Sequence, residues 1–187
     1  MKFRELLSRT HFVKDYTNRK PRIESIIKAI ESANDGPMAG NLQPIQYLIV
    51  ENPDSISLIS QACQQPFVIK APYIIIIISD STQMERLYGD KSEKYLKQNI
   101  GFAVQNFILQ LAELGISSAL VAPFSEITLH NHFNIPEEKE IELIITAGEG
   151  SGKIMKRKNP SLINKIFYGS YGNKFYKPFP KITRKDI

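Results

Sequence analysis

The sequence has only one cysteine, Cys63, among its 187 residues. A single thiol excludes an internal disulfide and any thiolate metal cluster, and this scarcity agrees with a reducing compartment. The longest apolar run, from Ile74 to Ile78, is far too short to cross a bilayer, and the first residues do not form a signal peptide. We therefore expect a cytoplasmic protein without a membrane segment.

The chain also lacks the residue sets of several enzyme classes. No nucleophile–base pair and no paired carboxylates stand out, which counts against hydrolase and glycosidase functions. His130 and His132 lie two residues apart with no third ligand nearby, so we interpret them as surface histidines and expect no metal. The glycine-rich segment over residues 148–153 fails as a Walker loop, because Ala147 and Ile154 replace its first glycine and its Ser or Thr.

Length and composition suit a single domain, because 42% apolar residues are enough for a sizeable core. The helical spacing of apolar residues predicts helices over residues 21–33, 53–63, 92–114 and 159–169. Apolar, β-branched stretches predict strands over residues 45–51, 73–79, 118–122 and 141–147. The second of these strands should form the centre of the sheet, since it is apolar on both faces. The sequence thus predicts an α+β fold over residues 1–187, with helices flanking one sheet.

The net charge of +5 is concentrated at the two ends of the chain. Residues 1–31 carry eight basic against four acidic side chains, and residues 151–187 carry ten against one. Residues 32–150 carry six against fourteen. If the termini meet, their charges would form one site suited to a phosphate, whereas a solvated surface and a nucleic-acid patch are the alternatives. Aromatic residues do not interleave with a basic stripe, so we expect no nucleic-acid partner.

A loop of small residues and amides lies between the first long predicted helix and the first predicted strand. Gly36 and Gly40 allow backbone angles and close approaches that a β-carbon would forbid. Asn41 and Gln43 each offer two donors and an acceptor on a planar group, which complements the edge of a heterocycle. This pattern indicates a cofactor loop, and an ordinary connection between a helix and a strand is the alternative.

The run Pro37-Met38-Ala39-Gly40-Asn41-Leu42-Gln43-Pro44 resembles the P-S-x-x-N-x-Q-P-W loop of the nitroreductase family, FMN-dependent oxidoreductases that act as homodimers. Met38 replaces the usual serine, and Ile45 replaces the usual tryptophan. The resemblance implies that the flavin is contacted by Pro37, Met38, Ala39, Asn41 and Gln43. Asn41 would pair with the pyrimidine edge of the flavin ring.

Two basic segments also resemble the family pattern. Residues Arg9-Thr10-His11-Phe12-Val13-Lys14-Asp15-Tyr16 are similar to its N-terminal R-R-S-x-R-x-F segment, and Lys156-Arg157-Lys158 match its late basic residues. The resemblance implies that the flavin phosphate and ribityl groups are held by Arg9, His11, Lys14, Lys156, Arg157 and Lys158. Lys14 can neutralise a phosphate oxygen as a point charge, without the bidentate geometry of arginine.

Two further segments are similar to family elements. The stretch from Gln98 to Phe107 resembles the D-x-G-x-A-x-Q-N-L dimer helix, with Asn99 in place of the acid. The stretch that follows, through the strand over residues 118–122, resembles the strand that runs under the flavin ring. The resemblance implies ring contacts from Val121 and Ala122, with a backbone N–H near Ala122 directed at flavin N5.

Together these matches imply the nitroreductase fold: a three-layer α+β sandwich with a mixed, mainly antiparallel central sheet flanked by helices, in a homodimer. The tail over residues 171–187 has no helical periodicity, and we expect it to wrap the partner subunit. The implied function is electron transfer from NADH or NADPH to a small oxidised acceptor, such as a nitroaromatic or a quinone, by a ping-pong mechanism. The flavin carries the chemistry, so no catalytic side chain is predicted. Two alternatives remain: a flavin-binding or flavin-modifying member of the fold without NAD(P)H turnover, and a basic nucleic-acid-binding module.

Overall fold

The structure is a computed structural model that describes residues 2–10, 12–151, 161–162 and 165–174. Within these ranges the chain forms six α-helices: α1 Phe3–Arg9, α2 Ile23–Asn34, α3 Pro53–Ala62, α4 Thr82–Tyr88, α5 Ser92–Glu113 and α6 Glu126–Phe133. It also forms four strands: β1 Ile45–Val50, β2 Tyr73–Ser79, β3 Ser117–Val121 and β4 Glu140–Gly148. Short 3₁₀ turns lie at Ala39–Asn41, Pro66–Lys70 and Gly89–Lys91.

The four described strands form one sheet in the order β1-β2-β4-β3, and each neighbouring pair is antiparallel. The predicted α+β fold with a mainly antiparallel sheet is confirmed. β2 lies inside the sheet and all seven of its residues are buried, as its run of isoleucines predicts. A bulge interrupts the pairing of β2 with β4 between Ile77 and Ile78. Each predicted strand agrees with the observed one to within about one residue at either end.

Alternate residues of β2 point into two separate cores, because side chains in a strand alternate between the faces of the sheet. Ile75 and Ile77 belong to a core shared with α2 and α5. Ile74 and Ile76 belong to a core shared with α3 and α6. We call these two sides the α2/α5 face and the α3/α6 face. Helices on both faces give the expected three layers.

The longest described helix, α5, has 22 residues and is about 33 Å long. Its buried stripe includes Leu96, Ile100 and Phe107, and it packs against α2. The opposite side of α5 leaves Phe102 48% exposed and open space around Gly101. The helix predicted over residues 92–114 is therefore confirmed. None of the described helices is both long and apolar enough to span a membrane.

The chain divides into two compact units, Met1–Met155 and Lys156–Ile187. In the described part of the second unit, Phe167 pairs with Lys174 as an isolated bridge. The helix predicted over residues 159–169 is wrong for the residues that are described there, because they form bends, a turn and this bridge. The predictions that residues 1–187 form one domain and that the tail wraps a partner stay predictions.

Candidate functional site

The loop between α2 and β1 turns sharply at its two central residues. Gly40 and Asn41 both have left-handed backbone angles, with φ of 66° and 53°. The φ of Gly40 is one that L side chains rarely adopt, and an added β-carbon would also have to displace the tip of Leu87 on α4, whose Cδ2 would lie 2.6 Å away, so glycine suits this position. The Asn41 N–H donates to Met38 O at 3.0 Å and closes the 3₁₀ turn. The backbone angles of Gly40 and Asn41 and this hydrogen bond therefore define a tight turn.

Groups beneath the loop hold its backbone in place. The Ala39 N–H donates to Oδ1 of Asn99 on α5 at 2.8 Å. Pro44 O accepts a backbone N–H from the residue after β2 at 2.9 Å. The side chains of Asn41 and Gln43 are exposed, and neither makes a hydrogen bond within the described ranges. The predicted cofactor amides therefore face outward on a fixed backbone.

The loop adjoins the end of the sheet at Ser79 of β2, and two lysines near this end are paired with carboxylates. Lys97 Nζ lies 2.8 Å from Oε2 of both Glu140 and Glu142. Burial alone would lower the pKa of Lys97, but hydrogen bonds to the two carboxylates hold it above its ordinary value. Lys139 likewise lies 3.8 Å from Asp80. Because Lys97 and Lys139 are in ion pairs with carboxylates, neither is a candidate for binding the flavin phosphate.

At the opposite end of the sheet, residues 12–17 run beside the end of β4, where Tyr16 bridges Gly150. Tyr16 Oη and Thr146 Oγ1 form a buried hydrogen bond of 2.6 Å. Burial raises the pKa of Tyr16 to about 12, although the hydrogen bond to Thr146 acts in the other direction. Tyr16 therefore anchors the segment that carries Lys14.

Lys14 lies exposed beside two aromatic rings. Its Nζ is 5.5 Å from the ring centroid of Phe12 and 5.2 Å from that of Phe67, a favourable but modest cation–π arrangement. No carboxylate lies within ion-pair distance of Lys14 in the part of the chain that the structure describes. Arg9, in contrast, pairs with Glu5 of α1 at 2.9 Å. Lys14 is thus the better placed of the two to bind an anionic ligand.

The end of β3 lies near the same region. Val121 is fully buried in the α3/α6 core, and Ala122 after it is exposed. Ala122 O accepts a hydrogen bond from Gln65 Nε2 at 3.4 Å, next to the 3₁₀ turn that carries the ring beside Lys14. Pro123 follows and has no N–H, so a backbone donor at this strand end must come from Ala122 or earlier.

The structure therefore brings Lys14 and Ala122 to one region and places the amide loop in another. The Tyr73 end of β2 adjoins the basic segment, and the Ser79 end adjoins the loop; these ends are about 20 Å apart along the strand. The loop packs on the α2/α5 face, whereas Lys14 lies on the α3/α6 face. Within one copy, the packed sheet therefore lies between the loop and Lys14.

Four predicted site residues lie outside the described residues: His11, Lys156, Arg157 and Lys158. Their predicted phosphate contacts stay predictions. A contribution from Asn99, whose side chain accepts a hydrogen bond from the loop backbone, was not predicted from the sequence. The signal that could have found it is a polar residue within an otherwise apolar helical stripe, between Leu96 and Ala103.

The two histidines of α6 have partners within the fold. His130 Nδ1 lies 3.0 Å from Ile135 O, and His132 Nε2 lies 3.0 Å from Ser55 Oγ. Among the described residues, no three His, Cys, Asp or Glu side chains gather in a way that could hold a metal ion. The histidines are therefore accounted for by structural contacts.

A family model described as the nitroreductase family matches residues 54–149. The chain belongs to the nitroreductase family. Members of this family are FMN-dependent oxidoreductases, so the predicted family and flavoprotein class are confirmed. The matched range begins after the amide loop and ends before the late basic residues, so the predicted contacts of those two segments rest on their own residues.

Individual relatives extend the similarity over most of the chain. An iodotyrosine deiodinase from Thermotoga neapolitana is 24% identical over 170 residues, which cover 77% of this chain and 86% of that protein. A protein from Streptococcus pyogenes serotype M6, whose name proposes an NAD(P)H nitroreductase, is 25% identical over 185 residues, or 82% and 92% of the two chains. The solved structure of an oxidised iodotyrosine deiodinase bound to FMN and 3-iodo-L-tyrosine matches with a TM-score of 0.78 at 21% identity, covering 91% of this chain and 100% of that one. This last likeness shows the nitroreductase fold.

Proposed function

We propose that this nitroreductase-family protein is an FMN-dependent reductase that takes electrons from NADH or NADPH and passes them to a small oxidised acceptor. The acceptor class is that of nitroaromatics and quinones, and the cycle is ping-pong, so the nicotinamide leaves before the acceptor binds. The observation that carries the proposal is the loop anchored by Asn99, with exposed Asn41 and Gln43 amides. When bound, FMN supplies the redox chemistry, and the protein binds and orients it.

The donor set fits FMN at both of its ends. Asn41 can offer a donor and an acceptor to the alternating N–H and C=O groups of the pyrimidine edge. Lys14 has no carboxylate partner in the described ranges and can neutralise a phosphate oxygen. A backbone N–H near Ala122 would complete the set beneath the ring. Donors placed around the pyrimidine edge would stabilise negative charge on the reduced cofactor.

The separation of these groups supports a site formed by two copies of the chain. We propose a homodimer in which Lys14 of one copy holds the phosphate and the amide loop of the second copy holds the ring. The exposed side of α5 supports this arrangement, because Phe102 offers apolar area and Gly101 leaves room for close approach of another helix. A two-fold axis would then generate two equivalent sites.

The absorbance spectrum of the purified protein tests the cofactor. We expect a yellow protein with flavin bands, and denaturation should release FMN rather than riboflavin or FAD. Stopped-flow mixing with NADH or NADPH without oxygen should then bleach the flavin bands, and a quinone should restore them. A colourless protein with no affinity for added FMN would contradict the proposal.

A second candidate is a flavin-dependent reductase that does not turn over NAD(P)H. The observation that favours it is that a sequence relative and a structural neighbour are both iodotyrosine deiodinases. In that case NADH and NADPH should leave the flavin bands unchanged, whereas dithionite should bleach them. Restoration of the bands by 3-iodo-L-tyrosine but not by a quinone would favour this candidate over the first.

A further inference from the structure

Asn99 is a buried polar residue on an apolar helix face. Its side chain belongs to the stripe of α5 that includes Leu96, Ile100 and Ala103, and the residue is only 1% exposed. A buried amide is costly unless its groups are paired. Asn99 Oδ1 accepts the N–H of Ala39 at 2.8 Å, so its main polar contact is with the amide loop.

The other end of the Asn99 side chain makes only a weak contact. Nδ2 points to Met84 Sδ at 3.9 Å, and a thioether sulfur is a poor acceptor. The contact with Met84 of α4 therefore offsets little of the cost of burying an amide at this position. The hydrogen bond to Ala39 is the interaction for which an oxygen acceptor is needed.

The hydrogen bond to Asn99 lies next to two consecutive residues with left-handed backbone angles, Gly40 and Asn41. Asparagine adopts such angles more readily than most L-residues, as a single residue in a turn. On its other side the loop faces Leu87, whose Cδ2 lies 2.6 Å from where a β-carbon of Gly40 would be. The Ala39–Asn41 turn is thus wedged between α4 and α5, and the bond to Asn99 fixes the residue at which the turn begins.

We propose that Asn99 is a positioning residue that sets the place of the Asn41 amide at the flavin ring. It does not contact the cofactor itself. This inference rests on the proposed function, in which the loop contacts the ring. If Asn99 has this role, removing its Oδ1 acceptor from the buried face of α5 changes how the protein binds the ring of the flavin.

The test compares Asn99→Leu, which keeps the size and removes the acceptor, with Asn99→Asp, which keeps an oxygen in its place. The matched control is Gln110→Leu, because Gln110 accepts a hydrogen bond from Ser32 of α2 on the same helix but away from the loop. For each protein we would measure the Kd for FMN and for riboflavin, the reduction potential of the bound flavin, and the unfolding midpoint without flavin.

We expect Asn99→Leu to raise the Kd for oxidised FMN and for riboflavin by the same factor, about tenfold, because the loop serves the ring and not the phosphate. The affinity for reduced FMN should fall by about tenfold more than the affinity for oxidised FMN. This difference lowers the two-electron reduction potential of the bound flavin by about 30 mV. Asn99→Asp should restore most of the affinity. Gln110→Leu should alter the unfolding midpoint alone.

Wild-type Kd values and potential in a folded Asn99→Leu protein would overturn the inference while the proposed function stands. Equal losses of flavin affinity in Asn99→Leu and Gln110→Leu would also overturn the inference, since both would then reflect lower stability of the fold. Failure of the wild-type protein to bind FMN would overturn both proposals. Should Asn99→Leu not fold, Asn99→Ser carries the same expectation, because its hydroxyl is one bond too short to reach Ala39.

Discussion

The two halves of the proposed flavin site are held in place by different interactions. The amide loop is bent into left-handed angles at Gly40 and Asn41, and a buried side chain accepts one of its N–H groups. The basic segment is extended, and it is anchored by backbone pairing and by the phenol of Tyr16 against Thr146. In both halves, the core fixes the backbone and leaves the binding side chain facing outward.

The halves also lie on different faces and at different ends of the sheet. Under the proposed function, this separation divides recognition of FMN into a ring part and a phosphate part. Because the loop and the described part of the basic segment pack into different cores, lesions in them should act independently. Riboflavin, which has the ring but no phosphate, distinguishes the two parts experimentally.

The largest expected effect comes from mixing two defective proteins. One carries Lys14→Ala with Arg157→Ala, and the other carries Asn41→Leu with Gln43→Leu; each alone should be nearly colourless. If each site takes its halves from different copies, a mixed dimer contains one intact site and one site with both lesions. Reassociation of an equal mixture should therefore restore about a quarter of the wild-type flavin content.

The control for this experiment places all four substitutions in one chain and mixes it with wild-type protein. Mixed dimers then have one lesion set in each site, so they should bind no more flavin than the wild-type homodimers present. A mixture of the two defective proteins that stays colourless after reassociation would show that both halves act within one copy.

The next effect concerns the phosphate part alone. Lys14 and Arg157 are both predicted from the sequence to bind the phosphate. If they do, Lys14→Ala with Arg157→Ala removes two charged donors, each worth about 1.5–3 kcal/mol to a phosphate dianion, so the Kd for FMN should rise at least about a hundredfold. Riboflavin should bind as before. Lys20→Ala is the matched control, because Lys20 is also in the N-terminal segment but pairs with Glu51 at 2.8 Å. A parallel loss of riboflavin binding would mean that these charges stabilise the fold instead.

A smaller effect is expected in the ring part. Asn41→Leu leaves the donor and acceptor of the pyrimidine edge without a partner, at a cost of about 1–3 kcal/mol. The Kd values for FMN and for riboflavin should therefore rise together by about tenfold, as measured by flavin fluorescence. Asn131→Leu, an exposed asparagine on α6, serves as the control. Unchanged affinity and potential in Asn41→Leu would remove this residue from the site.

Much of the fold follows from local patterns in the sequence. The isoleucine run of β2 needs cover on both faces, so it had to be an inner strand, and the spacing along α5 shows its buried stripe. The placement of Lys14 and Asn41 on opposite faces could not be predicted, because it depends on strand order and register. Those are set by long-range pairing, which no local pattern contains.

The helix predicted over residues 159–169 shows that a local pattern can also mislead. Leu162, Ile166 and Phe167 have helical spacing, but Gly169 and Gly172 have φ of 78° and 89°. Such angles suit turns and end helices, and here they accompany the bridge from Phe167 to Lys174. Over the described residues, these turns and the Phe167–Lys174 bridge stand where the helix was predicted.

The smallest expected effect compares two buried phenols, one on each face. Tyr16 on the α3/α6 face has Thr146 as its hydrogen-bond partner, whereas the buried Tyr47 Oη, on the α2/α5 face, has none among the described residues. Tyr16→Phe should therefore lower the free energy of unfolding by about 1 kcal/mol. Tyr47→Phe should leave it unchanged or raise it by up to about 1 kcal/mol. Urea unfolding at pH 7 measures both.

The same two residues predict how stability depends on alkaline pH. Burial raises the pKa of each phenol from 10 to about 12. Below pH 10 both the folded and the unfolded chain keep these protons, so the stability is fully present. Between pH 10 and 12 the unfolded chain releases them first, and stability falls as the pH rises. Each Phe variant should lose less stability over this window than the wild-type protein. A loss at pH 7 for Tyr47→Phe equal to that of Tyr16→Phe would show that the Tyr47 phenol has a partner, such as one supplied by a second copy of the chain against the α2/α5 face.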